Sequence, residues 1–264
     1  MRDLKTHGVP SLDRALTVLE MLAHSRRGQS LADLARRMSA PKSTLHCVLL
    51  TLERRGYLER DETSHRYVFG LKLFSLVNSA ISQVKVNEVA LPVLHSLMEQ
   101  TQMTIHMAIL DQGEAVLVNK IEPPRLLRLA TWIGKRMDIH CTGVGKALIA
   151  YLPSAQLEEL LTQHPLPRHN ENTIVSARKL KEQLKLIRKL GYAFDDEEDE
   201  IGLRCIGVPI FNHEDRVVAA ISVAGTTAQI TKENRSQLAE LMKSAALAIS
   251  RNLGFQPSNA AFHS

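Results

Sequence analysis

The feature that most constrains this chain lies between residues 30 and 56. Ser30-Leu31-Ala32-Asp33 reads as a serine helix cap with an acid three residues on, and Leu31, Leu34, Ala35 and Met38 form a short apolar face. Ser39-Ala40-Pro41 interrupts that run, and Pro41 suits the first turn of a new helix. The stretch from Lys42 to Arg55 then places Leu45, Val48, Leu49 and Leu52 on one side and stops at Gly56. A short helix, a turn of about three to four residues and a longer helix with a polar, basic start is the helix-turn-helix plan. Such a unit enters the major groove with the N-terminus of its second helix. That assigns Lys42, Ser43, Thr44 and His46 to bases and phosphates, with Arg36 from the preceding helix beside them.

The flanks extend the pattern. Ser11 precedes Leu12, Ala15, Leu16, Val18, Leu19 and Leu22, which predicts an amphipathic first helix capped by that serine. After Gly56, Tyr57–Arg60 and His65–Gly70 read as two short strands around the turn Asp61-Glu62-Thr63-Ser64, a wing with Arg66 near its tip to touch the DNA backbone. Three-helix units also serve as protein–protein modules, and a basic face can simply be solvated, so charge alone does not settle it and the wing has to be weighed with it. Residues 1–70 hold twelve Lys/Arg against eight Asp/Glu, and this quarter therefore carries +4 of the chain's net +5. A basic module on a nearly neutral body fits a polyanion binder, and with the wing it favours double-stranded DNA.

Beyond residue 70 the composition shifts. Leu71–Ile81 is helical and apolar on more than one side, with Leu73, Phe74, Leu76, Val77 and Ile81 offering more surface than one domain can cover. A second copy of the same helix is the expected partner, which makes the chain a homodimer on a near-palindromic operator. The remainder alternates: a helix over Val86–Thr101, strands at Thr104–Leu110 and Ala115–Ile121 around Asp111-Gln112-Gly113-Glu114, and a further strand at Leu126–Thr131. Helices over Gly143–Leu152, Ser154–Leu161 and Ser176–Leu190 follow, then strands at Arg204–Phe211 and Val217–Ala224 and a closing helix over Lys232–Leu253. The expected fold class is α+β. The expected division is 1–70 for DNA, 71–85 as linker helix, 86–254 as a ligand-sensing domain and 255–264 as a flexible tail. Three widely spaced cysteines without a CxxC pair, no apolar leader at Met1–His7 and no bilayer-length apolar run point to a cytoplasmic chain without a membrane partner.

Catalytic chemistry is poorly supported. Cys141-Thr142-Gly143-Val144-Gly145-Lys146 resembles a phosphate loop, but His140 stands where a glycine is needed and Ala147 where a hydroxyl is needed. What remains is either a seat for a small anion at the exposed amides of a helix start or an ordinary capped helix. Asp195–Glu200 is an acidic run of the kind usually solvated, or able to bind a divalent cation, yet it lies between a strand and the apolar Ile201–Cys205, so part of it is expected to face inward. There is no HExxH and no GxSxG. Ser222 has no evident base partner, and Cys141 and Cys205 read as quiet buried thiols. Neither a cofactor nor a metal site is expected.

Ser11-Leu12-Asp13-Arg14-Ala15-Leu16, Pro41-Lys42-Ser43-Thr44, Phe69-Gly70-Leu71, His140–Ala147, and Gly191–Glu198 with Gly202-Leu203-Arg204-Cys205 together resemble the IclR family of bacterial regulators, in the expected order from Val9 to Leu253. The resemblance implies a winged helix-turn-helix, a helical linker that makes dimers often paired into tetramers, and a GAF-like effector-binding domain. It also implies repression, less often activation, of catabolic operons in response to small carboxylates, sugar acids or aromatic compounds. By the same resemblance the effector lies against Gly143 and Val144, beside Asp195, Cys205, Ser222 and Ala224. Two of these depart from the family pattern: Val144 replaces a smaller alanine, and Ala224 lacks a hydroxyl that some members supply, so the pocket is expected to be narrower and less polar. An ionised Asp195 would repel a bound anion, so its expected role is to accept hydrogen bonds from an effector hydroxyl or from the backbone. The expectation is therefore a ligand-responsive, sequence-specific transcriptional regulator without catalytic activity. The alternatives are a small-molecule enzyme with an appended DNA module and a regulator with a vestigial pocket that works through protein contacts.

Overall fold

The computed structural model describes residues 9–23, 25, 27–82, 85–124 and 129–256, with side chains left out at 77–82 and 85. The chain forms two compact units, Met1–Gln83 and Val84–Ser264.

In the first unit, α1 (Pro10–Ala23), α2 (Leu31–Arg37) and α3 (Lys42–Arg54) pack around Val18, Leu22, Leu34, Leu45, Leu49 and Leu52. The periodicity of three and four that marks these helices in the sequence buries these residues. Ser30 caps α2 as expected: its hydroxyl accepts from the Asp33 amide at 3.1 Å and donates to the Asp33 carboxylate at 2.8 Å. Helix α1 differs. It begins at Pro10, with the Val9 carbonyl accepting the Leu12 and Asp13 amides, so Ser11 sits inside the first turn and caps nothing. Proline at the first helical position suits this, since it has no amide to leave unpaired. At the other end of α3, Gly56 takes a left-handed φ of +78°, while its amide and that of Tyr57 bond back to Glu53 and Leu52.

The wing is a two-stranded antiparallel pair, β1 (Leu58–Arg60) and β2 (Tyr67–Phe69), with Leu58 opposite Phe69. Gln29 extends it by a bridge to Tyr67. Gly28 is required beside that bridge: its φ is +66°, and a Cβ there would lie 2.5 Å from the Tyr67 carbonyl. Helix α4 (Leu71–Ser82) closes the unit, with Leu71, Phe74 and Leu76 exposed. The Val77 and Ile81 side chains, read as part of the same apolar surface, lie outside the described ones.

The second unit is built on a wholly antiparallel sheet of order β5-β4-β3-β8-β7-β6. The strands are β3 (Thr104–Asp111), β4 (Glu114–Ile121), β5 (Arg136–Met137), β6 (Ala193–Asp196), β7 (Leu203–Phe211) and β8 (Val217–Thr226). Helices α5 (Lys85–Thr101) and α9 (Arg235–Asn252) cover one face, where Ile105, Met107, Ile221 and Val223 point. Helices α6 (Gly143–Ile149) and α8 (Ala177–Leu190) lie on the other, in one cluster with Ala108 and Ala220 that Leu157 and Leu160 of α7 (Ser154–Gln163) also join. Because strand side chains alternate, His106 and Ser222 are directed to this second face. The fold class is α+β, as the sequence implies.

One element departs from expectation. Of the strand read at 126–131, residues 126–128 lie outside the described ones, and Leu129–Thr131 is loop. Its backbone is tied by side chains instead of a ladder. Lys120 Nζ donates to the Leu129 and Thr131 carbonyls at 3.1 and 2.8 Å, and Lys135 Nζ to Ala130 at 2.9 Å. The short edge strand β5 pairs with β4 in its place. The tail from 257 lies outside the described residues.

Candidate functional site

The start of α3 presents a polar cluster. Lys42, Ser43 and His46 are exposed and Thr44 half-buried, while Leu45 between them is fully buried and anchors the turn. Arg36 is exposed as well and pairs with Asp33 at 2.9 Å. Arg66 is engaged within its own unit. One guanidinium nitrogen donates to the Gly28 carbonyl at 3.0 Å and another lies 3.6 Å from Asp33, so it ties the wing to the start of α2 while remaining part-exposed.

In the second unit, Gly143, Val144, Asp195, Cys205, Ser222 and Ala224 line one small cavity of about 50 Å³, together with His106, Leu129, Thr131, Lys135, Thr142, Asp199 and Leu203. Strand register brings most of these together: Asp195 opposes Cys205, Cys205 opposes Ala224, and Ser222 opposes His106 on its other side. Close backbone approach seats α6 on the sheet, because a Cβ on Gly207 would meet the Gly143 carbonyl at 2.1 Å. Thr142 caps α6, accepting from the Gly145 amide at 3.1 Å and donating to the Asp138 carbonyl at 2.6 Å. The Gly145 amide, one of the group read as an anion seat, is therefore already engaged.

Lys146 is the surprise of the glycine-rich segment. It is fully buried, and Nζ donates to the Phe194 carbonyl at 2.6 Å, to Gln183 Oε1 at 3.1 Å and to Glu198 Oε1 at 2.5 Å. The lysine that looked like a phosphate ligand instead binds α6 to the acidic run. Part of that run does turn inward, since Asp195 and Glu198 are both buried, and Asp195 accepts the Glu198 amide at 2.8 Å. Burial raises both carboxyls against the opposing pull of Lys146, Asp195 to about 7. A carboxyl held that far above the usual carboxylate range is more readily protonated, which eases its conflict with an anionic neighbour.

His106 was not picked out by sequence reasoning. Its Nε2 is 2.9 Å from the Thr131 hydroxyl. Burial, with Lys120 and Lys135 near, pulls it down to about 3, so the imidazole is neutral. It is a poor proton acceptor for Ser222 even though the two sit opposite each other. Burial likewise pushes up the Cys141 and Cys205 thiols, with carboxylates nearby adding to the effect.

Comparison with known proteins decides the family. Residues 11–62 match the IclR helix-turn-helix domain, and residues 78–251 match the description "Bacterial transcriptional regulator IclR C-terminal". The chain belongs to the IclR family of bacterial transcriptional regulators. Among its IclR-family relatives, the HTH-type transcriptional regulator XynR of Escherichia coli is 34% identical over 247 residues, covering 94% of this chain and 98% of the relative. The transcriptional repressor IclR of the same organism is 34% identical over 243 residues, covering 91% and 89%. The crystal structure of Thermotoga maritima IclR superposes with a TM-score of 0.80 at 31% identity, covering 93% of this chain and 99% of that one. An IclR homolog from Microbacterium hydrocarbonoxydans, complexed with 4-hydroxybenzoate, gives 0.81 at 26% identity, covering 92% and 98%. This IclR-family chain is accordingly a DNA-binding transcriptional regulator, and no helix among its described residues is long and apolar enough to cross a membrane.

Proposed function

We propose that the chain acts as a repressor that binds a near-palindromic operator as a homodimer and is released by a small organic acid. Arg36, Lys42, Ser43, Thr44, His46 and Arg66 form the DNA face in this reading. Lys42 and Arg36 meet phosphates, Thr44 and His46 meet base edges, and Arg66 contributes by holding the wing in place. Dimerisation rests on apolar surface within the first unit. Leu71 and Phe74 on α4 are 80% and 69% exposed, and Leu12 and Leu16 on α1 are exposed too. A two-fold partner would cover such surface and set two recognition helices about one DNA turn apart, or a multiple of it.

The effector site is the cavity at Gly143, Val144, Asp195, Cys205, Ser222 and Ala224, with His106 and Thr131 added. The single observation that carries this reading is the convergence of those groups, far apart in sequence, on one small space lined by apolar and polar side chains together. The relative bound to 4-hydroxybenzoate supports a small aromatic or aliphatic carboxylate as the class. A cavity of about 50 Å³ has to open to admit one, and the Leu129–Lys135 segment that contributes to its lining, held to β4 by Lys120, is the element that would move. An enzymatic role is disfavoured by the neutral, Thr131-bonded His106 and by thiols that burial keeps protonated.

The test is a thermal-shift screen of small hydroxylated and aromatic acids on the full chain, with mass spectrometry of the recovered ligand. The expected result is a saturable rise in melting temperature without any product, reduced in Ser222→Ala. Conversion of the ligand would favour the enzyme, and shifts identical in wild type and variant would put the effector elsewhere.

A further inference from the structure

Three side chains that do not line the effector cavity form a cluster of their own. His140, Cys141 and His169 each bring one potential ligand atom within 4.8 Å of the others. The first two lie just before α6, and the third comes from the loop between α7 and α8. His140 is completely buried, and its Nε2 is 2.9 Å from the Pro167 carbonyl. A carbonyl can only accept, so Nε2 carries the hydrogen and Nδ1 holds a lone pair. Among the described residues that Nδ1 has no hydrogen-bond partner despite its burial. An imidazole that donates one N–H to a backbone carbonyl and aims the other nitrogen into a cluster of donors is the usual setting of a metal-bound histidine.

Asp138 lies beside the two imidazoles, outside the set whose ligand atoms are all within 4.8 Å of one another. Its Oδ2 is 2.8 Å from His169 Nε2 and its Oδ1 is 4.0 Å from His140 Nδ1. We propose that His140, Cys141 and His169, with Asp138 as an oxygen ligand, bind a divalent transition metal of the zinc class. Two imidazoles, one thiol and one carboxylate suit a tetrahedral zinc-like ion, whereas calcium and magnesium call for oxygen ligands throughout. Ligand atoms around such an ion stand about 3.5 Å apart, so the three need to draw together by roughly 1 Å and the Asp138 carboxylate to swing in beside them. His169, part-exposed on a loop, can supply that movement and leaves an entry path. Binding displaces the Cys141 proton to solvent and leaves the sulfur as thiolate.

The experiment uses the full chain, stripped with a chelator, kept reduced with a non-chelating phosphine and titrated with Co²⁺. The expected result is one Co²⁺ per chain with a thiolate-to-cobalt charge-transfer band that Zn²⁺ bleaches. Cys141→Ser should lose the band, and His169→Gln, at a part-exposed position, should weaken Co²⁺ binding roughly 10-fold or more while melting as wild type does without metal. No band in the wild type, a band that survives Cys141→Ser, or unchanged affinity in His169→Gln would each overturn the proposal.

Discussion

At the start of α3, Lys42, Ser43 and His46 stand exposed on a buried leucine, whereas at the start of α6 all seven residues from Gly143 to Ile149 are buried. Both segments look similar in sequence, a lysine among small or hydroxylated residues at the head of a helix. Lys42 has its charge available to a polyanion. Lys146 has spent its three donors on Phe194, Gln183 and Glu198. A lysine's function is thus decided by what the rest of the fold places around it. An exposed helix start can be read locally, and a buried one cannot.

Exchanging the roles of the two lysines should have the largest effect. Lys146→Met removes one partner of a buried ion pair and leaves Glu198 without its counter-charge. It should destabilise the second unit by about 3–5 kcal/mol in denaturant unfolding. Lys146→Met combined with Glu198→Leu should recover most of that loss, since an apolar pair of similar size tolerates burial. Lys42→Ala should change stability by only about 0.5 kcal/mol. It should instead lower DNA affinity for every sequence and reduce the slope of log affinity against log salt by about 1. If Lys42→Ala unfolds the chain, or Lys146→Met leaves it as stable as before, the contrast fails.

The pH response comes next. A carboxyl whose folded value is raised from 3.8 to about 7 gives stability that is complete below 3.8 and is lost as pH rises through about 7. Lys146, Glu198, Asp199 and Cys205 all act on Asp195, so the difference between wild type and Asp195→Asn is the quantity to follow. That difference should move against the wild type with rising pH across this window, by at most about 1.4 kcal/mol per pH unit. A difference independent of pH would show that Asp195 is already ionised. The smallest effect belongs to Ser222→Ala, which removes one hydrogen bond of about 0.5–1.5 kcal/mol. Effector potency should fall roughly 3- to 10-fold, with operator affinity unchanged in its absence.

The helix-turn-helix was legible because its signals are local. The Ser30 cap, the Pro41 break, the Gly56 stop and the spacing of Leu45, Val48, Leu49 and Leu52 all lie within one short window. The sheet was legible where a clear turn, Asp111-Gln112-Gly113-Glu114, separates two apolar runs, and β3 and β4 fall within one residue of their expected bounds. Legibility failed where the pairing is distant. His106 joins the cavity only because β3 and β8 are neighbours in the sheet, and Lys146 finds Glu198 only because α6 docks over β6 and β7. The cluster at His140, Cys141 and His169 likewise has no ligand spacing that a local motif could reveal. Leu129–Thr131 was misread for a related reason, since apolar residues suggested a strand and lysine side chains satisfy the backbone instead.

The central claim is that a polar helix start on the first unit reads DNA sequence. Selection from a randomised duplex pool by the full chain, carried out in parallel with Thr44→Ala and His46→Ala variants, tests it most directly. The expected result is an enriched two-fold-related site with half-sites about 10–10.5 base pairs apart, or a multiple, and a changed base preference in at least one variant. Enrichment of no sequence, or of the same sequence with the same preference in all three proteins, would contradict it.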